Sequence, residues 1–257
     1  MLWRPSVCEI VHVAPQLKRC PLGCTMSGFV YQIDSSGFAI IPSVLTEDTL
    51  ETLERDLPTS SGDNGGLRNL LDMPPIAALA ASSVVRGLIG PVLGHGAFPV
   101  RAILFDKTPV ANWKVSWHQD LTIAVKERAE VAGYGPWTEK AGVVHVQPPA
   151  SILEHMLALR LHIDESGAAN GPLRVLPGSH RAGRFRDAEI PVWRERIAEQ
   201  VCLIPRGGAL LMRPLLLHAS SPAEAPEHRR VIHIEYANCT LAGGLKWRWG
   251  ESRARAA

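Results

Sequence analysis

The run Ser116-Trp117-His118-Gln119-Asp120 carries an imidazole and a carboxylate two residues apart. Side chains alternate across an extended strand, so Ser116, His118 and Asp120 share one face while Trp117 and Gln119 take the other. A histidine nitrogen and a carboxylate oxygen aimed the same way can serve as two ligands of a divalent metal. A second histidine arriving from a distant strand would complete one triangular face of an octahedral ion.

Two histidines and one carboxylate on one face are the ligand set of non-haem Fe(II) oxygenases. Three positions stay open, enough for a bidentate 2-oxo acid and then dioxygen. The chain offers a rival pair, His162-Ile163-Asp164, with Arg160 on the same face. Local spacing does not choose between the two. The rival runs directly into the Asn170-Gly171 turn, where a carboxylate commonly stabilises a loop, so His118 and Asp120 are preferred. The same residue types would also suit zinc, which keeps a non-redox metal-binding protein open as an alternative. His145, His155, His228 and His233 have no partner at ligand spacing and read as structural. Cys20 and Cys24 could form half of a zinc site, but no second cysteine pair follows.

Strands must deliver these groups. From Pro99 onward, short apolar runs alternate with Gly, Pro and Asn turns, the pattern of a β-sandwich or barrel. Candidate strands are Val100 to Phe105, Val115 to Leu121, Val143 to Val146, Leu157 to Asp164, Leu173 to Leu176, Val201 to Ile204, Ala209 to Leu217 and Arg229 to Tyr236. Eight strands suit a jelly roll. The expected fold is mainly β with flanking helices around a double-stranded β-helix (cupin-like) core. Ahead of it, Phe29, Tyr31 and Ile33 alternate into Gly37-Phe38 as a strand. Thr46 should cap a helix bearing Leu50, Leu53 and Leu57. Pro74 and Pro75 open a second helix over about Ile76 to Ile89. Residues 125–149 show little regular pattern and read as a long loop with Trp137, a candidate lid or substrate wall.

The organisation expected is a loose extension over residues 1–25, a single domain over 26–240 and a solvated basic tail over 241–257. Of 257 residues, 46% are hydrophobic and 20% charged, enough to bury a sizeable core. The net charge of +2, with scattered Lys and Arg, makes no electrostatic case for nucleic acid. No apolar stretch reaches the ~20 residues of a membrane span and no secretory pattern opens the chain, so a cytoplasmic location is expected. Five cysteines leave one unpaired in any intramolecular disulfide scheme.

From Gly37 to Tyr236 the sequence resembles the phytanoyl-CoA dioxygenase family of Fe(II)- and 2-oxoglutarate-dependent oxygenases. The marks are Gly37-Phe38 followed by a helix, Trp117-His118-Gln119-Asp120, Asn170-Gly171-Pro172-Leu173 leading to Leu176-Pro177-Gly178-Ser179-His180-Arg181, and Leu217-His218-Ala219-Ser220 followed by Arg229. The resemblance implies His118, Asp120 and His218 as iron ligands. It makes Arg229 the anchor of the distal carboxylate of 2-oxoglutarate, with Ser220 beside it. A planar guanidinium suits that task, since it pairs bidentately and stays charged in a partly buried pocket. Arg230 should face the other way. Ser116 is expected beside co-substrate or substrate on the strand period alone, and His180 is expected to shape its loop. The implied reaction is hydroxylation of an unactivated carbon of a small organic metabolite, consuming O2 and releasing succinate and CO2. Desaturation, epimerisation and ring formation use the same machinery. Asp120 argues against halogenating variants, which leave that position free for chloride. The substrate and the oligomeric state are left open.

Overall fold

The computed structural model describes residues 28–58, 66–224 and 226–250. The extension expected over residues 1–25, most of the Ser60–Gly66 loop and residues 251–257 lie outside them. Gly28–Ser36 is a helix, α1, and not the strand expected there. Phe29 and Ile33 sit four residues apart and share a helix face; Ile33 is fully buried while Tyr31 points to solvent. Strand β1 (Phe38–Ile41) follows. Thr46 then caps α2 (Glu47–Asp56), its hydroxyl accepting from Thr49 N at 3.3 Å.

The single helix expected over 76–89 is two, α3 (Pro74–Ala81) and α4 (Ser83–Leu93), bent by 53°. Ser82 adopts an extended conformation between them and caps α4 through Val85 N. No single helix among the described residues is long and apolar enough to cross a membrane. This bent pair passes that test of length and composition only when joined, and it buries Ile76, Ala80, Val85 and Ile89 in the core.

The strands are β2 (Phe98–Lys107), β3 (Val115–His118), β4 (Ile123–Val125), β5 (Trp137–Lys140), β6 (Val143–Val146), β7 (Met156–His162), β8 (Leu173–Val175), β9 (Gln200–Cys202), β10 (Ala209–Met212), β11 (His218–Ser220) and β12 (Arg229–Ala237). Short helices α5 (Ala150–Glu154) and α6 (Ile190–Arg196) connect them. The expected strand over 209–217 breaks after Met212. Pro214 has no N–H to give a ladder, and its carbonyl accepts from Asp120 N instead.

Among the described residues the strands build three antiparallel sheets, ordered β1-β10-β7-β12-β2, β3-β11-β8-β9 and β4-β6-β5. The fold is the mainly β, jelly-roll type expected, with open sheets and not a closed barrel. One face of the five-stranded sheet carries Leu104, Leu159, Leu161, Ile232 and Ile234 against Ile33, Leu50, Leu53, Val85 and Ile89 of the helices. Arg230 lies on this outer side and binds Asp164 and Glu54, while Arg206 joins Glu54 and Glu47. That network ties α2 to the sheet. The inner face of the same sheet is polar. Alternation along β12 turns Arg229, Val231, His233 and Glu235 the same way, and their register partners on β2 are Lys107, Phe105, Ile103 and Arg101.

Residues 125–149 contain more structure than the loop expected, because β5 and β6 form a hairpin whose turn, Ala141-Gly142, has positive φ at both residues. Such a two-residue turn matches strand twist, and Ala141 hides it from sequence inspection. The solvated tail is also corrected over 241–250. Leu241, Leu245 and Trp247 are buried, and Trp247 bridges to Val125.

Candidate metal centre

Strands β3 and β11 pair so that His118 lies directly opposite His218. Each ring is oriented by its own strand: Nδ1 of His118 meets the Ser116 carbonyl at 2.8 Å, and Nδ1 of His218 meets the Leu216 carbonyl at 2.9 Å. A protonated Nδ1 donating to a carbonyl leaves the Nε2 lone pair free, the usual orienting device for a metal-binding histidine. Both Nε2 atoms face Asp120, each 3.8 Å from one of its carboxylate oxygens. One ligand atom from each of the three residues lies within 4.8 Å of the others. The donor set thus fits a divalent ion.

Asp120 lies just past the end of β3, so the strand period alone does not hold it. Its backbone N–H donates to Pro214 O at 2.9 Å. Gln119, buried beside it, donates to Gly183 O at 2.8 Å and Leu215 O at 2.6 Å, and accepts from Phe185 N at 2.8 Å. This side chain pins the ligand segment to two loops. Gln119→Leu strands all three partners, and an unsatisfied buried group costs roughly 1–3 kcal/mol. A loss of about 3 kcal/mol in urea-unfolding stability is expected. A variant as stable as wild type would show that Gln119 is not the anchor.

Electrostatics also suit a metal. Burial alone would raise the Asp120 carboxyl, but His218, His233, His118 and Arg101 hold it well below the usual carboxylate range. Burial and the neighbouring His118 push His218 down to about 3, so its imidazole is neutral at physiological pH.

A second group, Asp120, His233 and Glu235, also has its ligand atoms within 4.8 Å. Its donors are engaged elsewhere. His233 contacts Arg160 through Nδ1 at 3.2 Å and Glu235 through Nε2 at 3.3 Å, and Glu235 is ion-paired with buried Arg101. The expectation that His233 is structural therefore needs refinement, since it stands against the metal site as part of a charged wall. The rival His162 and Asp164 join no third ligand among the described residues. Asp164 is taken by Arg230, at 2.7 Å from N and 2.8 Å from Nε.

Arg229 is buried on the inner face and donates to Gly171 O. Beside it, Lys107 is fully buried and donates to Ser220 Oγ at 2.9 Å and to Ser221 O. Ser220 in turn donates to Gly171 O at 2.9 Å. Gly171, at φ +68°, is required by the close packing here, because a Cβ would sit 2.4 Å from the Ser221 backbone oxygen. Lys107, Arg160 and Arg229 have no carboxylate within ion-pair distance among the described residues. Burying unpaired charge is costly, and a bound anion would offset that cost. Burial and the nearby Arg160 pull Arg229 down to about 10, still charged at neutral pH, and burial, Arg229 and Arg160 bring Lys107 to about 7. Ser116 is exposed, and the contact it contributes is its backbone carbonyl to His118. His180 bonds the Asp34 carbonyl at 3.2 Å and holds its loop. A separate cavity of about 560 Å³ between α3, α4 and Trp249 contains none of these groups.

Residues 96–231 match the phytanoyl-CoA dioxygenase (PhyH) family, and the chain belongs to that family of iron- and 2-oxoglutarate-dependent oxygenases. Among solved structures it resembles AviO1 from Streptomyces viridochromogenes Tue57, with 21% identity and a TM-score of 0.58 over 83% of this chain and 95% of that one. It also resembles EctD from S. alaskensis with 2-oxoglutarate and 5-hydroxyectoine, at 16% identity and a TM-score of 0.62 over 81% and 74%. A third is the non-haem alpha-ketoglutarate-dependent carbocyclase SnoK from nogalamycin biosynthesis, at 15% and 0.60 over 83% and 84%. These likenesses concern the fold. No curated protein sequence matches the chain.

Proposed function

We propose that His118, Asp120 and His218 hold Fe(II), that Arg229 with Ser220 and Lys107 holds the distal carboxylate of 2-oxoglutarate, and that the enzyme hydroxylates an unactivated carbon of a small organic metabolite. The observation carrying this reading is the register pair His118–His218, which turns two free Nε2 atoms onto Asp120. Bound iron supplies the redox chemistry by which dioxygen and 2-oxoglutarate become succinate, CO2 and an oxidised product. The chain's own contribution is placement. Ser116 and Leu216 carbonyls fix the ligand tautomers, Gln119 fixes the carboxylate, and the buried cations on β2, β7 and β12 would hold the carboxylate of the co-substrate. The carbocyclase SnoK and the epimerase SnoN share the fold, so product identity decides the outcome. Consumption of 2-oxoglutarate across a panel of small metabolites, with product mass, tests the proposal. A mass gain of one oxygen supports hydroxylation, a loss of two hydrogens identifies desaturation or ring closure, and no stimulation by any substrate class counts against it.

Lys107 adds a pH signature. With its pKa near 7 it is largely neutral above that pH in the free protein. A bound carboxylate favours the ammonium and raises the pKa, so binding takes up a proton. Affinity for 2-oxoglutarate should therefore fall as the pH rises above about 7. Calorimetry in buffers of different ionisation enthalpy measures the uptake, and heats independent of buffer would exclude Lys107 from the carboxylate site.

A further inference from the structure

A second set of cations lies toward the opposite end of β12, where Arg101, Arg68, Asp120 and Glu235 all act electrostatically on Lys140. Leu67 pairs with Leu104 at the edge of β2 through two backbone bonds of 2.8 Å. One residue on, Arg68 falls on the side of that edge that carries Ile103 and Arg101. Asn69 then enters the left-handed region at φ 63°, and its amide donates to Ala141 O at 3.0 Å. Ala141, at φ 50°, forms the β5–β6 turn. These are the only non-glycine residues with positive φ among the described residues, and one hydrogen bond joins them. Side chains with a Cβ disfavour this backbone region, and such outliers persist where surrounding structure imposes them, often beside functional sites.

That bond brings Lys140, the residue before Ala141, within electrostatic reach of Arg68. Lys140 pairs with Val143, and His145 lies two residues further on the same face of the sheet. Arg68 and Lys140 are each about half-buried, and neither side chain makes a hydrogen bond or ion pair with any described residue. The carboxylates in reach are committed, Glu235 to Arg101 and Asp120 to the histidines. Burial, with the fields of Arg101, Lys140 and Arg68, brings His145 to about 4, so it adds no charge at neutral pH. Burial and the positive charge of Arg101 pull both Arg68 and Lys140 below their ordinary values. A bound divalent metal restores the two positive charges that a 2-oxoglutarate dianion removes. The surplus on Arg68 and Lys140 therefore survives loading of the site.

We propose that Arg68 and Lys140 bind an anionic group of the primary substrate, a carboxylate or phosphate, at the edge of the metal site away from the 2-oxoglutarate anchor. This deepens the functional reading above and rests on it for the position of the reacting carbon. Holding one charged end of the substrate would orient the remainder toward His118, whose side chain is the most exposed of the three ligands.

The test is calorimetric titration of the anaerobic Fe(II)- and 2-oxoglutarate-loaded protein with methyl phosphate and, separately, acetate. Wild type should show saturable binding of at least one, and the preferred anion identifies which group the substrate carries. Arg68→Met with Lys140→Met should weaken it at least about tenfold, the scale of one lost charge-assisted bond, while Arg68→Lys with Lys140→Arg should retain it. Affinity for 2-oxoglutarate should be unchanged in both. The proposal is overturned if neither anion binds wild type, or if the Met variant binds as wild type does. Should the double variant unfold, Lys140→Gln at the exposed end of the hairpin provides the same comparison. A protein that fails to bind 2-oxoglutarate yet shows the pair-dependent anion site would contradict the functional reading and leave this site standing.

Discussion

Replacing Asp120 by alanine should strip the metal from the protein and abolish 2-oxoglutarate turnover while the fold survives. Asp120 is the one ligand shared by both histidine contacts, 3.8 Å from each Nε2. Its removal leaves two imidazoles without the charge that balances a divalent ion. Loss of a residue that merely orients a ligand costs 10–100-fold in metal affinity, so loss of the ligand should exceed about 100-fold. Iron stoichiometry after dialysis and circular dichroism measure the two halves of the expectation. Full iron retention with normal turnover would remove Asp120 from the site.

Arg229→Met should raise the concentration of 2-oxoglutarate required far more than that of iron. Truncating one partner of a buried, hydrogen-bonded charge pair costs about 2–5 kcal/mol, or roughly thirtyfold to several thousandfold in affinity. Lys107 and Ser220 remain, bonded to each other at 2.9 Å, so some binding should persist. Anaerobic equilibrium binding gives the comparison, and an unchanged affinity would move the anchor to Lys107 or Arg160. The loss should appear in co-substrate binding with iron stoichiometry unaltered, since Arg229 touches no proposed ligand.

The candidate triad was legible in part, since His118 and Asp120 stand two residues apart at the end of a strand, while His218, eleven residues before Arg229, came from the family resemblance. Strand alternation also separated Arg229 from Arg230, which the structure places on opposite faces, one in the anion pocket and one on Asp164. Lys107, Arg160, His233 and Glu235 were not legible as site residues. They are spread over three largely apolar strands, β2, β7 and β12, and only the long-range registers Arg229–Lys107 and His233–Arg160 bring them together. A signal did exist, since Arg229, His233 and Glu235 fall on one face of β12 at even spacing. Elsewhere short apolar runs misled. Phe29, Tyr31 and Ile33 fit both periods over so short a span, and Ala141 stood where Asn or Asp usually precedes the glycine of a tight turn. Trp247 looked like part of a basic surface tail because its partners, Val125 and Cys239, come from elsewhere in the chain.

The central claim is that His118, Asp120 and His218 present a metal with open positions that 2-oxoglutarate can chelate. Anaerobic addition of Fe(II) and 2-oxoglutarate, followed by visible absorption, tests it most directly. A weak charge-transfer band is expected in wild type, absent without 2-oxoglutarate and lost in His218→Ala. No band in wild type, or a band that His218→Ala leaves unchanged, would contradict it.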